Sequence, residues 1–150
     1  LKHRRNQSGM LTEAVSSLLM FIPLLVVVIL VTIQATQAYL IAKNMSRAAQ
    51  IAARSLAEEY KSNSKLATDS SAQQEIFDNI RIPQMVSSNQ QFAIPKNGWQ
   101  TTVEPKTVTV VVTYISGVGT PVNPPYPNPN ILNLSSAFRI SADSTFRISK

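Results

Sequence analysis

The chain has 150 residues, 44% of them hydrophobic, and a formal net charge of +6. It contains no cysteine, which excludes disulfides, thiolate catalysis and cysteine-ligated metal sites. Beyond Ala42, eleven Lys and Arg are scattered among seven Asp and Glu, which reads as a solvated, mildly basic surface and not as a nucleic-acid groove.

Residues 1–9 form a basic leader holding Lys2, Arg4 and Arg5. No charge occurs from Ala14 to Ala42, and Leu18–Ile33 is almost wholly aliphatic. A bilayer is crossed by about 20 apolar residues rising ~1.5 Å each, so the sequence predicts a transmembrane helix over residues 10–42. A core helix that is apolar all round is seldom this long. A removable signal peptide is the other rival, but its apolar core runs only about 7–15 residues, and here helix-compatible sequence continues from Gln34 to Ala42. Pro23 reads as a kink that a membrane helix tolerates. Gln34, Gln37 and Tyr39 fit the interfacial zone. Lys2, Arg4 and Arg5 precede the segment while only Lys43 and Arg47 follow closely. The positive-inside bias therefore puts the N-terminus in the cytoplasm. The expected location is the inner (cytoplasmic) membrane, single-pass, with the C-terminal domain periplasmic or extracellular and the lipid bilayer as a partner.

Glu13 stands at the cytoplasmic edge of the apolar run. It reads either as an interfacial charge without a role or as an assembly determinant. Gly9 lies just before the helix, where a glycine presents an unhindered peptide bond to a protease. Cleavage between Gly9 and Met10 would create an α-amino group close to Glu13. A charge at membrane depth is tolerated when paired, so the Glu13 carboxylate would pair with the amino terminus of an adjacent subunit.

Residues 43–61 predict an amphipathic stalk helix. Met45, Ala48, Ala49, Ala52, Leu56 and Tyr60 recur on one face, and Arg47, Gln50, Arg54, Glu58 and Lys61 on another. Arg54 and Glu58 are spaced to pair. Without a helix break from Ala14 to Lys61, membrane helix and stalk predict a single helix of roughly 70 Å. Residues 62–150 predict a small α+β domain. Ser62–Ser71 reads as a polar linker and Ala72–Ile80 as a short helix, with Ile76 and Ile80 on one side and Pro83 ending it. Strands are expected at Phe92–Ile94, Trp99–Val103 and Thr107–Ile115. A final alternation sets Phe138, Ile140, Ala142, Phe146 and Ile148 against Arg139, Ser141, Asp143, Thr145, Arg147 and Ser149. A proline-rich loop, residues 116–130, separates the last two strands. The fold class is α+β: a long N-terminal transmembrane helix continuing into the stalk helix, packed on a small antiparallel sheet.

Two separated regions resemble a known family. The leader Arg4–Gly9 (RRNQSG), the early glutamate in Glu13–Val15 (EAV) and the following helix resemble the class III signal of type IV pilins and pseudopilins. With the alanine-rich Ser46–Arg54 (SRAAQIAAR) and the ending Val108–Tyr114 (VTVVVTY), proline-bearing loop and Ile140–Arg147 (ISADSTFR), the chain resembles TadE-like pseudopilins of the tight-adherence pilus system. There are departures. Glu13 is fourth after a cut at Gly9, where the family's glutamate is typically fifth; the cut could instead follow Ser8, or the leader be retained. Ala14 stands where an aromatic is frequent, and Pro23 lies further along than the family's proline. The resemblance implies a minor pilin-like subunit that helps assemble a type IV pilus used in adhesion or secretion. Its implied partners are other pilin or pseudopilin subunits, the pilus assembly machinery and a prepilin peptidase.

No catalytic, cofactor or metal site is expected. The only histidine, His3, lies in the leader, and the acids beyond residue 43 are dispersed. The alternatives are a membrane-tethered binding or sensor domain that never polymerises, and a pseudopilin of a type II secretion system. The first would need neither Gly9 nor Glu13.

Overall fold

The computed structural model describes residues 2–81, 90–115 and 139–149, with side chains from Thr12 onward. The chain divides into two compact units, residues 1–36 and 37–150, and helix α1 (Lys2–Ser62) runs through the division.

In the first unit α1 begins within the leader and passes through Pro23. Pro23 has no N–H to donate to the preceding turn. Its side chains from Val15 to Ile29 are exposed on every side, from Met20 at 82% to Val26 at 45%. Further along, Leu30 is half-buried and Gln34 is buried, at 6% exposure.

The second unit is an α+β domain. Here α1 becomes amphipathic: Met45, Ala48, Ala49, Ala52, Ala53, Leu56 and Ala57 are fully buried, while Arg47, Gln50, Arg54, Glu58 and Lys61 are exposed. The predicted face is present and wider than expected, because Ala53 and Ala57 join it. The predicted pair also forms, Arg54 Nε donating to Glu58 Oε1 at 2.8 Å. The helix ends at Ser62, and the Asn63 side chain accepts from the Lys65 N–H to start a 3₁₀ turn, Ser64–Ala67.

The expected polar linker over 62–71 is therefore a folded connection. Leu66 is wholly buried, and Gln73 Nε2 donates to its carbonyl at 2.6 Å. One leucine among polar residues carries no periodic signal, so its burial could not be read locally. Helix α2 (Ser70–Ile80) starts two residues earlier than expected because Asp69 caps it, accepting from the N–H groups of Ser71 and Ala72. Its buried residue is Phe77, with Ile76 and Ile80 half-buried beside it. Pro83 and the loop 116–130 lie outside the described residues, as does Phe138.

Four strands form one antiparallel sheet: β1 (Gln90–Ala93), β2 (Trp99–Gln100), β3 (Thr107–Ile115) and β4 (Arg139–Arg147). β1 pairs with Val111–Tyr114 and β2 with Thr107–Val108, so both use the same edge of β3 in succession. β4 covers the other edge along its whole length, Thr107 opposite Arg147 and Ile115 opposite Arg139. Between β1 and β2 the chain turns at Pro95–Gly98 and returns to the ladder where the Thr109 N–H donates to the Gly98 carbonyl at 2.8 Å. A Cβ on Gly98 would lie 2.9 Å from the Thr109 carbonyl oxygen and 2.5 Å from the Ile94 side chain, so glycine is needed for this close approach. The strand expected at Trp99–Val103 stops at Gln100, and residues 102–105 bend away. Pro105, which has no N–H to give to a ladder, lies in that bend. The first strand is displaced from the expected 92–94 to 90–93.

Alternation in β3 puts Val108, Val110, Val112 and Tyr114 on the buried face. These residues and the buried face of α1 belong to one apolar cluster, with Leu66, Phe77 and Ile148. Full burial of a valine side chain is worth about 1.5–3 kcal/mol. Small alanines on α1 let a helix backbone lie close to whatever it packs on, at little entropic cost. Two ring pairs tie the elements together: Tyr60 with Trp99 at 5.4 Å, and Phe77 stacked on Phe92 at 5.2 Å.

Candidate functional site

The residues singled out in the sequence all fall on α1. Lys2, Arg4, Arg5, Gly9 and Met10 lie within its first turns, so Gly9 sits inside the helix where the sequence predicts a flexible bond ahead of it. Helical hydrogen bonds extend N-terminally because no proline or second glycine interrupts residues 2–22. Gly9 and Glu13 are four residues apart in a single helix and so share a face. Glu13 is exposed, and among the described residues it makes no ion pair. It is the only charged residue between Arg5 and Lys43.

The physical character of the site comes from the segment that follows. An 18-residue window of this helix has a mean hydropathy of 2.9 and none of it is buried. The helix is thus long and apolar enough to cross a membrane, and the described structure does not cover it as it would a core helix. Ala14–Ile33 alone spans about 30 Å, the thickness of a bilayer's hydrocarbon core. Helical backbone satisfies its own N–H and C=O groups, as lipid requires. The hydroxyls near the end of the segment do likewise: Thr32 Oγ1 donates to the Val28 carbonyl at 2.7 Å and Thr36 Oγ1 to the Thr32 carbonyl at 2.8 Å. Exposed apolar surface of this extent on a water-soluble monomer would drive aggregation, and in a bilayer it is the favourable state.

Charged groups in the second unit are surface features. Glu58 raises the pKa of the Arg54 guanidinium by accepting its hydrogen bond and by its charge. Asp69 is held below the ordinary carboxylate range, chiefly by the Ser71 hydroxyl and then by the Ala72 N–H. A cavity of about 260 Å³ beside the 3₁₀ turn has Glu59, Asn63, Glu75 and Asn79 in its lining. Among the described residues no three of His, Cys, Asp and Glu come together as metal ligands would.

No family model, curated protein or solved structure matches the chain. The functional reading therefore rests on the sequence and on the geometry above.

Proposed function

We propose that the chain is a single-pass, membrane-anchored, pilin-like subunit of the TadE-like kind, working in the assembly of a tight-adherence pilus. The observation that carries this reading is the division of labour along α1. Its first part is apolar and exposed all round, and its second part supplies seven fully buried residues to an α+β domain. A helix that must be both lipid-soluble and part of a folded domain is what a subunit held in a membrane before assembly requires. Glu13, the lone charge at the head of the apolar part, supports the reading further. In lipid it would need a partner, and a neighbouring subunit's amino terminus, exposed by cleavage after Gly9, supplies one. The leader cations Lys2, Arg4 and Arg5 would hold the N-terminus in the cytoplasm, leaving the α+β domain outside.

The test is N-terminal sequencing of the full chain purified from membranes, with and without a prepilin peptidase. A mature start at Met10 that depends on the peptidase is the expected result. A leader that stays intact in its presence would instead favour a tethered module that does not polymerise. In parallel, Glu13→Ala is expected to leave membrane insertion intact and to reduce pilus yield. An unchanged yield removes the pairing role.

A further inference from the structure

Lys43 is the first charge after the uncharged stretch Ala14–Ala42, and Arg47 follows it one turn later on α1. The stretch holds 29 residues. A helix of that length rises about 43 Å, matching the roughly 40–45 Å of a bilayer with both headgroup layers. Side chains of a helix lean towards its N-terminus, so the long stems of Lys43 and Arg47 lean back towards the uncharged stretch. A membrane crossed by that stretch has its phosphate groups within their reach.

Both cations lie on the outer side of the helix. Tyr39, Lys43, Arg47 and Gln50 are exposed and turn away from Met45, Ala48 and Ala52, which are buried. With Ser46 they line one open recess. Like charges four residues apart repel, and no acidic side chain of the chain offsets this pair. All eight acids are described residues, seven of them at Glu58 or beyond and the other Glu13. None forms an ion pair with Lys43 or Arg47 among the described residues, whereas Arg54, farther along, has Glu58. Tyr39 and Leu40, exposed just before Lys43, are the aromatic and aliphatic side chains expected at a lipid boundary.

We propose that Tyr39, Lys43 and Arg47 form a site for the phosphate of an anionic phospholipid. The two cations hold one headgroup between them, and the Tyr39 hydroxyl donates to it from the membrane side. A phosphate there replaces the repulsion of Lys43 and Arg47 with two charge-assisted contacts. The position directly after the uncharged stretch selects a lipid phosphate over one free in solution. The site rests on the membrane-anchored reading, but neither on the pilus nor on which side of the membrane the N-terminus lies.

The test uses the full chain in neutral detergent micelles holding equal amounts of phosphatidylglycerol and phosphatidylcholine, with the retained lipids counted by native mass spectrometry. Lys2, Arg4 and Arg5 are replaced by glutamine throughout, so that one cationic end is measured. Phosphatidylglycerol is expected to be retained in clear excess. Lys43→Gln and Arg47→Gln should each lower that excess about fivefold, and together bring the two lipids level. Arg54→Gln with Lys61→Gln removes the same charge farther along the helix and should leave the excess in place. Trp99 fluorescence checks that each variant is folded. Equal retention of both lipids overturns the proposal. So does an excess that survives Lys43→Gln with Arg47→Gln, that falls equally with the Arg54 and Lys61 exchanges, or that inorganic phosphate displaces at constant ionic strength. Oligomers that vanish with the Lys43 and Arg47 exchanges would assign the face to an acidic protein neighbour and overturn it too. Flotation on vesicles of phosphatidylcholine alone tests the anchor separately, because it needs no charge. A chain that floats without preferring phosphatidylglycerol loses the lipid site and keeps the anchor; a chain that does not float loses both.

Discussion

The indole of Trp99, in the two-residue strand β2, lies against the phenol ring of Tyr60 near the end of α1, centroids 5.4 Å apart and planes inclined by 36°. Both residues belong to the second unit, and the contact joins the far end of the helix to the edge of the sheet where β1 gives way to β2. Tilted aromatic pairs of this kind contribute about 0.5–1.5 kcal/mol beyond the area they bury. Tyr60→Leu and Trp99→Leu, alone and together, are expected to show a coupling in that range when the full chain is unfolded in detergent. Because Trp99 is the only tryptophan, Tyr60→Leu should also shift its emission. A coupling near zero would mean that the rings are neighbours without an energetic link.

The alanine face of α1 makes a second prediction. Ala49, Ala52 and Ala53 have no exposed surface, so a larger side chain there has to be accommodated inside a packed core. Ala52→Leu is expected to destabilise the domain by about 1–3 kcal/mol through overpacking. Leu56→Ala, at the same depth, is expected to cost about 2–5 kcal/mol by leaving a cavity. Ile51, 44% exposed on the opposite side, should accept alanine with a loss small beside either. Chemical denaturation of the three variants checks the order.

The capacity of α1 to insert into a membrane has a margin that can be counted. Between Leu18 and Ile33 the sequence holds thirteen Leu, Ile, Val and Phe, worth roughly −4 to −8 kcal/mol on an insertion scale. One central arginine costs about 2.5–3.5 kcal/mol. Val27→Arg alone should therefore still insert, whereas Val27→Arg with Leu30→Arg should reduce or abolish insertion. Resistance to alkaline extraction distinguishes them. Release of the single variant would show that the segment is held less firmly than its composition implies.

Asp69 links the start of α2 to pH. Its folded pKa is lowered by hydrogen bonds from the Ser71 hydroxyl, Ala72 N–H and Ser71 N–H. The unfolded value is about 3.9. A lowered folded pKa contributes stability above the unfolded value and loses it as pH falls through the folded one. Asp69→Ala should melt a few degrees below the parent at pH 6, and the gap should narrow towards pH 2. The effect is modest because the carboxylate is exposed and screened by solvent. Melting curves of both proteins across this range measure it; a gap independent of pH would mean that the carboxylate's charge adds nothing to the cap.

Local patterns were legible where one period dominates. The valines of Thr107–Ile115 alternate with threonines, and they are the buried face of β3. Outward residues of β4 also matched their pattern, and their hydroxyls meet those of β3: Thr109 with Thr145 at 2.8 Å, Thr113 with Ser141 at 3.0 Å. Leu66 and Phe77 were not legible as core. Leu66 is the single large apolar residue of its segment, Phe77 is one of three in α2 with Ile76 and Ile80, and which of them is buried depends on elements distant in the sequence.

The same distinction holds for the candidate site. That Glu13 heads a long uncharged stretch is a property of residue order, as is the transfer free energy of that stretch to lipid, which sums over side chains whatever they touch. The sharing of one β3 edge by β1 and β2, and the pairing of β4 along the whole of the other, belong to the tertiary structure alone. Backbone N–H and C=O groups are alike at every position, so residue order sets which face of a strand is apolar, and only the folded chain selects which strand lies beside it.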